Sequence, residues 1–422
     1  MSSISAPRPD PEQHQKPSAG AATGGPRRVL VVNHIPVWCG PHNHIARLHA
    51  PLAEAGWEQL VALPQEPGSA AGRLRDAGVR VVQLPLHRLR ARADPRLHLE
   101  LVSTFAPEVR ALRALIRESR AELVLVQALE NPHGVLAARL EGAAVIWQII
   151  GTRTPMMLRR ALLPMMRNWA DVVMCTGMTV AREHPGVTDL GERFVPFFAP
   201  VDTDAFRPDP ARREAARAEL GLGPDDLVIG NVGNINPQKG HRTFIRAAAE
   251  VRRRHPSARF VLLGATYQTH PGYAERLWAE AESRGLRLGK ELVWRDGGDR
   301  VAELLPAFDV FWMTSEPNSE GVPTALMEAE ATGIPVVSTL AGGVADVLDD
   351  EWGRLVGEND VDGLVAATEP LVQDAALRAR MGAAGRRFAV ANCGIDSCLD
   401  AYWRAFDVAL ARRDARAGVA AA

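Results

Sequence analysis

The stretch SEGVPTALMEAEATGIPVVSTLAGG, residues 319–343, decides the reading of this chain. Glu320 stands in a Gly/Pro-rich loop, and Glu328 follows inside a segment that reads as a short helix. Pro323 suits the first helical position, Gly333 the stop, and IPVVS a buried strand. At a rise of about 1.5 Å per residue the two carboxylates lie up to ~12 Å apart along one element. The helix N-terminus between them offers free N–H groups and a positive dipole end, which suit a phosphate. A carboxylate, an anion site and a second carboxylate in series match the sugar hydroxyls, diphosphate and ribose hydroxyls of a nucleotide-sugar. Most helical glutamates simply face water. Here the Glu-Gly-x-Pro lead-in, the Gly stop and the apolar strand place the pair at the carboxyl edge of a sheet, where open α/β sheets bind ligands.

Working outward, short β-rich runs alternate with helical segments. RRVLVVNHI (27–35), EQLVALP (58–64), VRVVQLPL (79–86), AELVLVQAL (121–129), AAVIWQII (143–150) and DVVMCT (171–176) read as strands. LVIGNVG, ARFVLLG, ELVWRD, FDVFWMT and PVVST repeat the alternation in the second half. Alternating β and α argues an α/β fold with parallel sheets covered on both faces. Two such halves joined by an extended segment near 196–209 imply two Rossmann-like, doubly wound domains facing a cleft.

Composition agrees. The 422 residues, 46% of them hydrophobic, suffice for two cores. Residues 1–26 are rich in Pro, Ala, Gly and Ser and read as a disordered tail without the apolar core of a secretory signal. No run approaches the ~18 apolar residues of a membrane span. Four cysteines imply no disulfide framework, and Cys393 and Cys398 lack partners at metal spacing. A reducing cytoplasm fits. Residues 27–198 carry 21 Arg against 15 acids, whereas 199–422 carry 26 basic and 33 acidic residues. The basic half suits an anionic partner, such as a phosphorylated acceptor or, by peripheral contact, the inner face of a membrane. Nucleic acid is excluded by scattered Arg, 5% aromatic content and the lack of any binding motif. TPMMLRRALLPMMRNWAD (154–171) reads as an amphipathic helix, used for core packing first and a membrane surface second.

The 319–343 segment resembles the signature of retaining glycosyltransferases of family 4, a Glu-x7-Glu pair. FFAPVDTDAFRPD (197–209) is similar to that family's interdomain hinge, GNVGNINPQKG (230–240) to its phosphate-binding loop, and LAGGVADVLDDEWGRLVGENDVDGL (340–364) to the end of its C-terminal domain. The resemblance covers about Arg27 to Leu410 and implies the GT-B arrangement. It divides the chain into an acceptor-binding domain (27–196), a nucleotide-sugar-binding domain (197–395), a last helix (396–412) crossing back to the first domain, and a tail (413–422). It implies transfer of a sugar from a nucleotide-diphosphate donor to a hydroxyl acceptor, with retained configuration and with no metal or cofactor.

The resemblance also assigns residues. Lys239, one of only three lysines beside 46 arginines, would grip the diphosphate, a task its compact ammonium suits. The N–H groups of Gly321 and Val322 would share that charge. Glu320 would hold the sugar hydroxyls and Glu328 the ribose, and Arg295 falls in the base region. Three positions depart from the family. Asn234 stands where many members have an Arg. Ile150 replaces a His, with His133 or Arg153 as substitutes and His133 equally well exposed on a loop. Cys39-Gly40-Pro41 replaces paired glycines, although Gly40 still permits close backbone approach. Gly342-Gly343 could bring amides to the phosphates or make a turn. Asp202-Thr-Asp204 and Asp360-Val-Asp362 read as caps and turns rather than metal ligands. The alternatives are a sugar-nucleotide 2-epimerase and a non-catalytic GT-B binding module.

Overall fold

The computed structural model describes residues 26–87, 95–152, 154–266, 270–317 and 319–421. The proposed N-terminal tail up to residue 25 and Arg153 lie outside the described residues.

The apolar runs become two all-parallel sheets. The first holds β1 (Arg27–Val32), β2 (Trp57–Pro64), β3 (Arg80–Leu84), β4 (Leu123–Gln127), β5 (Ala144–Ile149), β6 (Val172–Thr176) and β7 (Phe194–Phe197), in the order β3-β2-β1-β4-β5-β6-β7. The second holds β8 (Leu227–Val232), β9 (Ala258–Leu263), β10 (Leu292–Arg295), β11 (Val310–Met313), β12 (Val336–Thr339) and β13 (Gly353–Val356), in the order β10-β9-β8-β11-β12-β13. Both are doubly wound, and the strand order reverses between β1 and β4 and between β8 and β11. Those reversals open crevices at the carboxyl ends of the strands. Helices cover both faces, so β4, β5, β6 and β12 are buried along their whole length. This is why they read as unbroken apolar runs.

Two strands were not expected. β7 overlaps only the first residues of the hinge segment, and β13 lies within the last quoted motif. Each has four residues on a sheet edge, and Pro196 interrupts β7. Phe197, expected to open the second domain, ends β7 instead.

The last helix does return to the first domain, but it runs Ile395–Ala421. Residues 413–421, assigned to a tail, are its final turns. Cys398, Leu399, Tyr402, Trp403, Phe406, Ala409 and Leu410 recur at helical spacing and join the first core. The Trp57 and Phe406 rings lie 4.8 Å apart. Arg413 and Arg416 then extend the contact to Glu122 and Asp171. The chain therefore crosses between domains twice, and Val201 N donates to Cys393 O at 2.8 Å where the crossings meet. Among the described residues no helix is long and apolar enough to cross a membrane.

Candidate active site

Lys239 and Glu320 flank the second switch point. Lys239 follows β8 in a short turn, Pro237–Lys239, whose start is capped when Asn236 accepts from Gln238 N. Gly240 then turns with φ +61°, and a Cβ there would meet Thr314 O at 1.7 Å. Only glycine lets this loop lie against the loop after β11. Lys239 Nζ donates to Glu320 Oε1 at 2.6 Å, and Ser315 Oγ donates to the same oxygen at 2.7 Å. Two residues far apart in sequence thus form one charged pair at the cleft, with Glu320 the more enclosed.

The helix after Glu320 runs Thr324–Ala331. Pro323 is its N-cap residue rather than its first helical residue, and Gly333 follows with φ +78°. Gly321 passes the carboxyl end of β5 so closely that a Cβ would sit 2.2 Å from Ile150 O. The amides of Gly321 and Val322 donate to no described acceptor. Gly343 N, by contrast, donates to Gly321 O at 2.7 Å, so the Gly342-Gly343 pair makes a turn and that amide is already engaged.

Glu328 is buried, and its partner comes from the other domain. Arg47, on the helix Gly40–Glu54, donates through Nη2 to Glu328 Oε1 at 2.6 Å and through Nη1 to Pro200 O at 2.8 Å. Gly40, at the start of that helix, faces Thr324 Oγ1 across the cleft at 3.9 Å from its Cβ position. Asp346 makes a second clasp. Its carboxylate accepts from Thr179 N and Thr179 Oγ1, both at 2.8 Å, and so caps the first-domain helix Gly177–Arg182 from the second domain.

Other candidates settle differently. Asn234 lies half-buried at the end of β8, beside Gly264. Arg295 is exposed at the end of edge strand β10, two strands from β8, and no described contact joins it to Lys239 or Glu320. Ile150 packs into the first core. His133 is not on an exposed loop. It is fully buried in the helix Pro132–Leu140, Nε2 lies 3.8 Å from Glu108, and burial holds it at about 4. Asp202 accepts from the amides of Asp204 and Ala205, and Asp360 caps its helix, as their sequence settings imply. Cys393 and Cys398 are buried, and burial pushes both thiols up.

Residues 212–388 match the family described as glycosyl transferases group 1. The match lies within the second domain. Over 202 residues the chain is 36% identical to the GDP-mannose-dependent alpha-(1-6)-phosphatidylinositol monomannoside mannosyltransferase of Mycolicibacterium smegmatis, covering 46% of this chain and 50% of that protein. It is 34% identical over 247 residues to the D-inositol 3-phosphate glycosyltransferase of Streptomyces griseus, covering 56% of this chain and 51% of that one. The chain thus spans about half the length of the curated relatives it matches. In fold it is similar to a glycosyltransferase from Rickettsia africae (TM-score 0.75, 14% identity, 92% of this chain and 99% of the other). It is also similar to Anabaena HepE crystallised with UDP and glucose (TM-score 0.72, 16% identity, 91% and 98%). The fold is GT-B.

The matched segment contains Lys239, Glu320, Ser315, Glu328 and Asp346. Sequence reasoning missed Arg47, Ser315, Thr179 and Asp346. Ser315 stood close to Glu320 and was within reach. The other three act across the domain boundary, where no local signal points to a partner.

Proposed function

We propose that this protein transfers a sugar from a nucleoside-diphosphate donor to a hydroxyl acceptor, with retained anomeric configuration and without a metal. The observation that carries this reading is the Lys239–Glu320 pair at the second switch point, 2.6 Å apart, beside the amides of Gly321 and Val322. As the bond from the anomeric carbon to the diphosphate breaks, negative charge gathers on the leaving phosphate. Lys239 and those two amides stabilise it where the donor diphosphate displaces water from the cleft. Glu320, released from Lys239 by the incoming diphosphate, turns to the sugar hydroxyls and faces the cationic anomeric centre. Glu328, held through Oε1 by Arg47, keeps Oε2 for a ribose hydroxyl. The acceptor oxygen bonds to the anomeric carbon from the leaving-group side and passes its proton to the departing phosphate.

The relatives' names put GDP-mannose first among donors and an inositol-bearing acceptor first among hydroxyls. The test is nucleotide release from GDP-, UDP-, ADP- and dTDP-sugars, with Lys239→Ala as control. Release by the wild type and a loss of roughly 10²–10³ in the variant is the expected result. Equal release by both would overturn the site. Donor binding without release, in the presence of inositol-bearing acceptors, would favour a binding module.

A further inference from the structure

On the side of the first domain opposite the cleft, arginines outnumber acids. Asp171, just before β6, is almost wholly buried at the amino edge of the sheet. Arg416 from the last helix pairs with its Oδ1, and Arg139, at the end of the helix Pro132–Leu140, stands 3.7 Å from the same oxygen. Arg193, just before β7, donates to the carbonyls of Asp171, Ala170 and Arg167. Arg412 lies one helical turn before Arg416, and Arg167 ends the helix Met156–Trp169. Two guanidinium groups thus reach the Asp171 carboxylate and a third its main-chain carbonyl, with Arg412 and Arg167 close enough to act on the third.

Part of this is ordinary capping, because guanidinium groups at helix C-termini satisfy the last carbonyls. Arg193 does this work at the end of the helix Met156–Trp169, and Arg416 is taken up by Asp171. It does not account for Arg412, whose Nε is buried without a partner, nor for the side chain of Arg167, which is exposed. Nearby acids give no relief. Glu141 is held by Arg113 at 2.6 Å, and Glu122 is shared by Arg27 and Arg413. The arginines act on one another accordingly. Arg193 is lowered by burial and by Arg412, Arg167 and Arg139, and Arg416 is lowered to about 10 by burial and by Arg139.

We propose that the cluster of Arg139, Arg167, Arg193, Arg412 and Arg416 is a binding site for a phosphate-bearing anion, remote from the sugar-transfer cleft. The fork of a guanidinium matches two phosphate oxygens, and several forks on one centre suit a phosphate ester with more than one free oxygen. Leu140, next to Arg139, and Trp169, two residues after Arg167, are exposed large apolar side chains on the same two helix ends. A lipid headgroup and a free phosphorylated molecule both have this chemistry, and the experiment separates them.

The test compares the full chain carrying Lys239→Ala, which weakens the phosphate grip of the cleft, with the same chain carrying Arg167→Gln and Arg412→Gln in addition. Neither added substitution removes a described side-chain hydrogen bond, so both chains should fold. In the absence of added anion the unfolding temperature should hold or rise, as like charges are removed. Two probes are used at fixed ionic strength: inorganic pyrophosphate, read as a shift in unfolding temperature, and sedimentation with phosphatidylglycerol or phosphatidylcholine vesicles. A pyrophosphate affinity at least tenfold lower in the Arg variant, without vesicle binding, supports a free phosphorylated ligand. Sedimentation with phosphatidylglycerol only, lost in the Arg variant, supports a lipid headgroup. No response of the parent to either probe, or equal responses of the two chains, would overturn the proposal. Nucleotide release by Arg167→Gln/Arg412→Gln with Lys239 intact should match wild type.

Discussion

Arg47 and Glu328 are 281 residues apart in the chain, yet they share a hydrogen bond of 2.6 Å across the domain boundary. The same guanidinium also binds Pro200 O and lies 5.5 Å from the Phe206 ring. One arginine thus ties together the first domain, the crossing segment and the helix that carries the second carboxylate. Both side chains are largely enclosed, so removing one leaves the other's charge without compensation. Arg47→Ala or Glu328→Ala should each destabilise by about 3 kcal/mol, and a double-mutant cycle in urea should return a coupling of about 1–3 kcal/mol. A coupling near zero would mean that the pair does not form in solution.

Asp346 replaces a cap that the first domain does not supply for itself. Asp346→Ala should cost about 1–2 kcal/mol through the loss of that cap. It should also let the domains separate, seen as a larger radius of gyration in solution scattering. Turnover should then fall more than donor affinity, because the donor site stays within one domain. Unchanged scattering would show that the clasp does not hold the domains.

Glu320→Gln keeps the shape of the side chain and removes its charge. Nucleotide release should fall roughly 10²–10³-fold, while the donor dissociation constant moves only a few-fold, since the charge matters most when the anomeric centre becomes cationic. A variant whose only defect is donor binding would place Glu320 outside the chemical step.

Among the described residues burial lowers five histidines, His184 among them. Burial lowers His42, His133 and His241 to about 4 and His44 to about 3. The unfolded chain takes up these protons near the ordinary value of 6.5, whereas the fold resists them until pH 3 to 4. Stability from this source is therefore complete above pH 6.5 and is lost as pH falls toward 4, by up to ~1.4 kcal/mol per pH unit for each histidine. Unfolding temperature measured from pH 8 to pH 4 should drop steeply below about 6.5. A flat profile down to pH 5 would contradict this burial.

Tyr402 closes a buried relay. Asn33 Nδ2 donates to Gln127 Oε1, Gln127 Nε2 to Gln148 Oε1, and Gln148 Nε2 to Tyr402 Oη. Tyr402 Oη lies 2.9 Å from Nε2 of the neutral His44, with which it shares a hydrogen bond. Tyr402→Phe leaves Gln148 and His44 each short of a partner, at about 1–3 kcal/mol apiece. Urea denaturation should show that loss, and Tyr402→Phe combined with His44→Leu should cost less than the sum of the two singles.

The parts legible in the sequence were those written locally. Strands such as β5 and β6 are buried on both faces, so their residues are apolar without interruption. β7 and β13 lie on sheet edges, where half-buried residues and Pro196 blur the pattern. Lys239 and Glu320 were legible because loop glycines, a proline and a helix start surround them within a few positions. Their mutual bond was not, and neither was Arg47 on Glu328, because a pairing between distant segments leaves no mark on either. His133 was misjudged for the same reason, since what buries it is the packing of another helix carrying Glu108 and Phe105.

The docking of Ile395–Ala421 bears on how this protein is made. Trp57 and its neighbours leave the ribosome early, but the Phe406 and Tyr402 that complete their core follow only after the whole second domain. At roughly 5–20 residues per second, the wait is on the order of tens of seconds. During that interval one face of the first sheet lacks the apolar side chains that cover it, while its other face can already pack. The second domain, whose strands and helices are contiguous in the chain, can close first, so nascent folding runs in the reverse of reading order.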